Sequence, residues 1–135
     1  MPLHIETPLI ESHLISHKVG QSIWLKMESA QPSGSFKARG IGYACEEYLK
    51  RGAKRFIASS GGNAGLAVAF AGRRLSVPVI IVVPGAASKR AVNLMRLENA
   101  EVIVHGKSLD EAHRDGEDRG REHSLFRPLM IVARH

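Results

Sequence analysis

Lys37 stands where a cation is poorly placed. The stretch SAQPSGSFKARG, Ser29 to Gly40, reads as a turn through Pro32, Ser33, Gly34 and Ser35, followed by a helix beginning with Phe36, Lys37, Ala38 and Arg39. The N–H groups of a helix's first turn have no partner inside the helix and carry partial positive charge. An ammonium is disfavoured there, and the neutral amine favoured in its place is a nucleophile and a base. An arbitrary lysine is a solvated surface residue. Here the small residues Ser33, Gly34 and Ser35 leave room for a flat ligand, and Phe36 offers an apolar neighbour. Those are the needs of a lysine that forms an imine with a carbonyl.

A second stretch, SSGGNAG from Ser59 to Gly65, follows an apolar run and opens an alanine-rich one. At a strand-to-helix junction its backbone N–H groups and the helix dipole converge on one point, a ready anion site. Ser59, Ser60 and Asn63 add side-chain donors. A tight turn alone would explain the glycines. It explains less well the polar residues at a strand's carboxyl end, where ligands of open α/β sheets bind. The pattern is not G-x-G-x-x-G, the tip of the next strand (Val82, Val83, Pro84) holds no acidic residue, and no Walker motif occurs. A nicotinamide cofactor is therefore not expected, and a smaller anion such as a carboxylate or phosphate fits better.

The elements that must position these stretches follow from periodicity. Residues 3–10 read as irregular or briefly extended, Ser12 to Lys18 as a short helix closed by Gly20, and Ile23 to Met27 as a strand. The lysine helix carries an apolar stripe at Ile41, Ala44, Cys45, Tyr48 and Leu49 and closes at Gly52. Then come a strand from Phe56 to Ser59, a helix from Asn63 to Leu75, and an apolar strand from Val77 to Val83 covered on both faces. A helix from Ser88 to Leu97 follows, with Leu94 and Leu97 facing inward, then a strand from Glu101 to Val104. Ser108 with Glu111 forms a capping box for a further helix. This alternation predicts an α/β fold with an open parallel sheet and flanking helices. Arg119 to His135 breaks the order, and its LMIVA run reads as a premature stop or a strand in need of a partner.

Composition bounds the function classes. In 135 residues, 44% are hydrophobic and 24% charged, as in a globular domain. The net charge of +6 could suggest an anionic partner, but the basic residues are scattered and aromatic residues make up only 5%, so nucleic acid is not expected. The single Cys45 permits no internal disulfide, and it sits on the apolar stripe as a core residue. No basic-then-apolar leader and no membrane-length apolar run is seen, so no membrane association and a cytoplasmic location are expected. His13 and His17 share a helix face but have no third ligand in an HExxH-like pattern, so no metal is expected. Asp110 to Glu122 reads as a solvated charged face.

PSGSFKARG together with SSGGNAG resembles the pyridoxal-phosphate serine/threonine dehydratase family, of fold type II. The resemblance runs from about Thr7 to about Ala112, and Glu28 through Ile41 matches the family's lysine signature. The SSGGNAG form is closer to serine dehydratases than to biosynthetic threonine deaminases or cysteine synthases. The resemblance implies pyridoxal 5′-phosphate as cofactor. It implies that Lys37 holds the cofactor as an imine and acts as the base at Cα, that Phe36 packs against the pyridine ring, and that Asn63 hydrogen-bonds the ring's 3′-oxygen. Ser60, Gly61, Gly62, Asn63 and Ala64 would form the loop that binds the carboxylate of an amino-acid substrate. The implied reaction is β-elimination, turning L-serine or L-threonine into a 2-oxo acid and ammonia.

Family members are longer, with a downstream glycine-rich loop for the cofactor phosphate and a later Ser or Cys facing the pyridine nitrogen, and neither is found here. Residues 1–36 would then be an N-terminal segment of a larger domain, 37–118 the α/β small domain, and 119–135 a divergent tail. The chain is expected to be truncated, and inactive or weakly active alone. A biosynthetic-type threonine deaminase or other β-eliminating relative, and a non-catalytic α/β fragment or interaction module, remain alternatives. A homo-oligomer is compatible with the apolar end.

Overall fold

A computed structural model describes residues 1–106 and the short strand 132–134. The chain opens with a small antiparallel ribbon of β1 (Leu9–Glu11) and β2 (Trp24–Lys26), in register Leu9 to Lys26 and Glu11 to Trp24. Between them lies α1 (His13–Val19), which ends at Gly20. The Ser16 hydroxyl accepts from the Ile23 N–H at 2.8 Å, so the residue expected to start the second strand is held by the helix instead. Pro8 has no N–H to donate, but its carbonyl accepts from Met27 at 3.0 Å and extends the ribbon by one rung. Leu9, Leu14 and Trp24 of this layer are exposed.

The second layer is a four-stranded sheet in the order β5, β4, β3, β6. Strands β3 (Arg55–Ser59), β4 (Val79–Val83) and β5 (Glu101–Val104) are parallel, joined through α3 (Asn63–Leu75) and α4 (Lys89–Leu97). The strand expected from Val77 begins two residues later. The Val77 N–H closes the end of α3 on Gly72 O at 2.9 Å, and Pro78 cannot donate to a ladder. At the other edge, β6 (Val132–Arg134) runs antiparallel to β3, pairing Phe56 with Ala133. Residues 132–134, at the end of the apolar terminal run, thus find their partner in β3 and make the expected parallel sheet a mixed one. The helix expected from Ser108 and the rest of the tail lie outside the described residues.

The core sits between this sheet and α2 (Lys37–Lys50), α3 and α4. Phe56, Ile81, Val68 and Met95 are fully buried in it. On α2 the inward stripe is Ala38, Ile41, Gly42 and Cys45, whereas Leu49 is 37% exposed. Burial pushes the Cys45 thiol up to about 12, consistent with a packing role. On α4 the expectation is corrected. Val92 and Met95 face the core, while Leu94 and Leu97 are 39% and 76% exposed. Hydrophobicity alone does not phase this helix. Ser88 caps the helix, its hydroxyl accepting from Ala91 N–H at 3.1 Å, and packing against α3 and β5 turns the Val92–Met95 stripe inward, leaving Leu94 about 100° away from Met95.

Candidate active site

Both chemical stretches lie at one edge of the sheet. α3 starts directly beyond the carboxyl end of β3, after the loop from Ser60 to Gly62. Four residues connect α2 to the start of β3, and α2 packs along α3, so both helices run back from the same carboxyl edge. Their first turns, with Lys37 on one and Asn63 and Ala64 on the other, are therefore placed on the same end of the domain.

The turn before Lys37 needs Gly34, whose φ of +75° is accessible to glycine at little cost. Its N–H donates to Gln31 O at 2.7 Å. The helix begins at Lys37, one residue later than expected, with Phe36 as its N-cap and no side-chain cap. Phe36 is 58% exposed, and the Lys37 Nζ lies 5.0 Å from its ring centroid. A groove of about 390 Å³ runs from this pair along α2, lined by Phe36, Lys37, Gly40, Ile41, Ala44 and Tyr48 among others. The groove does not include the Ser60–Ala64 loop, so the two stretches share an edge without sharing one enclosed cavity.

The loop is built by a close approach. A Cβ on Gly65 would meet the Ser60 carbonyl oxygen, and would lie 2.8 Å from the Met95 methyl. Only glycine lets α3 tuck under the loop. Gly62 is open, with nothing within 4 Å of where a Cβ would stand. The Gly62 N–H donates to the Ser60 hydroxyl at 3.3 Å. Among the described residues nothing accepts from the N–H groups of Asn63 and Ala64. The hydroxyls of Ser33, Ser35 and Ser59 are buried with no hydrogen-bond partner among them either. Buried polar groups are nearly always paired, so orphaned hydroxyls in both stretches, together with the unpaired N–H groups of Asn63 and Ala64, suit a polar ligand. Among the described residues no group of three His, Cys, Asp or Glu side chains gathers to hold a metal ion. No helix there is long and apolar enough to cross a membrane.

One group of residues was not singled out from sequence. The Arg39 guanidinium forks onto Glu28, Nε to Oε2 at 2.9 Å and a terminal nitrogen to Oε1 at 2.8 Å. The Thr7 hydroxyl donates to Oε1 at 2.6 Å, and the Gln31 amide to Oε2 at 3.2 Å. The available signal was a carboxylate and a guanidinium flanking one turn. Arg39 and then Thr7 hold the Glu28 carboxyl at about 2, below its ordinary 4.5, with Gln31 adding to the effect. A depressed carboxyl contributes stability that is complete above 4.5 and is lost as pH falls towards 2. Thermal melts between about pH 6 and about pH 2 should therefore show a loss of stability in this window that Glu28→Gln lacks.

Known structures share this fold. An L-serine ammonia-lyase from the fungus Rhizomucor miehei superposes with a TM-score of 0.82 at 33% identity, over 99% of this chain and 41% of its own. Fold type II, expected from the motifs, is thereby shown. The family model for pyridoxal-phosphate dependent enzymes matches residues 1–127, and the chain belongs to that family. Human L-serine dehydratase/L-threonine deaminase is 50% identical over 111 residues, covering 82% of this chain and 34% of that protein. The Bos taurus protein of the same name is 46% identical over 123 residues, covering 91% of this chain and 38% of its own length. The chain thus spans about a third of the length of the curated relatives it matches.

Proposed function

We propose that this chain carries the reactive-lysine part of a pyridoxal-phosphate dependent lyase that converts L-serine or L-threonine to a 2-oxo acid and ammonia. The observation that carries the reading is the edge shared by Lys37, the unpaired N–H groups of Asn63 and Ala64, and the orphaned hydroxyls of Ser33, Ser35 and Ser59. The relatives' names supply the substrate class.

The residues present fit the cofactor's needs. Lys37 supplies the amine that holds it, exposed Phe36 supplies an apolar surface for a flat ring, and Asn63 supplies a donor for the ring oxygen. The loop of Ser60, Gly61, Gly62, Asn63 and Ala64 is made of donors with no acidic side chain, which suits a substrate carboxylate. When bound, pyridoxal phosphate acts as an electron sink for the electrons left at Cα. The protein's own part is to fix the carboxylate at the loop and to take the α-proton on Lys37 Nζ. The substrate's β-hydroxyl then leaves with a proton as water, and a water molecule hydrolyses the released enamine to the 2-oxo acid and ammonia.

In this reading residues 1–36 belong to a larger domain, 37–118 form the small domain and 119–135 are a divergent tail. The exposed Leu9, Leu14 and Trp24 of the N-terminal layer support the first assignment. We also read the chain as cytoplasmic, on its lone, buried cysteine. With part of the cofactor cradle supplied by neither stretch, the chain alone is expected to take up pyridoxal phosphate weakly and to turn over serine slowly or not at all. Titrating the purified chain with cofactor, then assaying 2-oxo acid from L-serine and L-threonine, tests this. Turnover at the rate of an ordinary enzyme, roughly ten per second, would contradict the partial-site reading.

A further inference from the structure

The first turn of α2 has no side-chain cap, so no hydrogen bond from the N-cap side chain holds the turn that carries Lys37. The turn leading into it holds itself by few bonds. Gly34 N–H reaches Gln31 O, Ala38 N–H reaches Ser35 O at 3.2 Å, and Arg39 N–H reaches Phe36 O at 3.0 Å. The base of this turn is closed by the two-pronged Arg39–Glu28 pair. Arg39 lies two residues beyond Lys37, about 200° round the helix axis. The stripe of Ala38, Ile41 and Cys45 packed in the core restrains rotation of the helix, and a planar fork on Arg39 adds a second restraint close to its first turn.

The pair is itself anchored. The Gln31 side chain exchanges two bonds with the Ile5 backbone, accepting from its N–H at 3.0 Å and donating to its carbonyl at 2.8 Å. Arg39 donates to the Thr7 hydroxyl at 3.3 Å, and Thr7 in turn donates to Glu28. Gln31 is 3% and Thr7 4% exposed, so these bonds are shielded from competing water. Three segments far apart in sequence thus meet at one carboxylate.

We propose that Glu28 and Arg39, braced by Thr7 and Gln31, act as a clamp that sets the rotation of α2 and hence the direction of the Lys37 amine. They act through the helix as positioning residues, although Arg39 also lines the groove beside Lys37. The clamp rests on the reading that Lys37 is the reactive amine only for its functional consequence; its mechanical effect stands apart from it.

Two isosteric or charge-conserving variants test the clamp. Glu28→Gln removes the charge, and Arg39→Lys keeps the charge but loses the fork. Two readouts are taken on the purified chain, with circular dichroism to confirm folding. One is the share of borohydride-fixed pyridoxal phosphate label that falls on Lys37 relative to Lys50 and Lys89. The other is amide hydrogen exchange at Ala38 and Arg39. Both variants are expected to lower the Lys37 share by about tenfold and to speed exchange at those amides by about tenfold, the scale of one lost charge-assisted hydrogen bond. Label at Lys50 and Lys89 should not change. Thr7→Val, which removes one bond to the carboxylate, replaces either variant that fails to fold, with a smaller shift in the same direction.

A folded variant with unaltered exchange and unaltered Lys37 share overturns the clamp and leaves the proposed function standing. A parent chain that shows no preference for Lys37 counts against the functional reading, and amide exchange alone then decides the clamp. Faster exchange in the variants upholds the clamp, and unchanged exchange overturns it.

Discussion

Replacing Gly65 with alanine is expected to lower the thermal midpoint by about 5 °C. Two effects oppose each other. Alanine in a helix interior is favoured over glycine by up to about 1 kcal/mol. Against that, the added Cβ would run into the Ser60 carbonyl oxygen and would lie 2.8 Å from the Met95 methyl, a side chain with no exposure. Met95 could swing aside, but a backbone carbonyl cannot move without moving the loop. Overpacking of this kind costs about 1–3 kcal/mol and occasionally more, so the clash wins. Gly40→Ala serves as the comparison, because nothing lies within 4 Å of its Cβ position and its φ is not positive. That variant should be as stable as the parent or slightly more so. Melts of the two proteins side by side check the argument. Equal midpoints would mean that the loop gives way easily, and that the anion site at Ser60 to Ala64 is softer than its geometry implies.

Replacing Lys37 is expected to have the larger functional effect and almost no structural one. Its side chain is partly exposed, and among the described residues its one recorded contact is with the Phe36 ring. Lys37→Ala should therefore change stability by less than about 0.5 kcal/mol, as for surface substitutions in general. Any cofactor-dependent absorbance change and any 2-oxo acid formation should fall by at least about a hundredfold, the lower bound for a lost acid–base group. Lys37→Arg separates charge from chemistry. Arginine keeps a cation at the same helix start, but its guanidinium stays protonated and cannot serve as an amine nucleophile. It is expected to fail as completely as alanine. Recovery of cofactor uptake in Lys37→Arg would show that the site needs only a positive charge there.

The motifs were legible because they rest on local chemistry. The helix start at Lys37 follows from the turn residues before it, and the loop at Ser60 to Gly62 follows from glycines between a β-rich and an alanine-rich run. The parallel pairing of β3, β4 and β5 was legible from the alternation of strands and helices, since short crossovers leave few choices. Three features were not. The inward face of α4 depends on its packing against α3 and β5, which buries Val92 and Met95 and leaves Leu94 and Leu97 outside. The antiparallel β6 depends on an edge of β3 that no pattern within 132–134 announces. The Glu28–Arg39 pair depends on a fold-back over eleven residues, and Thr7 joins it across a further twenty-one. Contacts of that span appear in sequence only as isolated charges.

The central claim is that Lys37 is the amine that takes the cofactor. The most direct measurement incubates the folded chain with pyridoxal phosphate, fixes the product with borohydride, and locates the added mass by peptide mapping. The account requires the label to concentrate on Lys37, well above Lys18, Lys26, Lys50, Lys54 and Lys89, and to lose that preference when the chain is unfolded first. Label spread evenly over the lysines of the folded chain, or absent from Lys37, would contradict it.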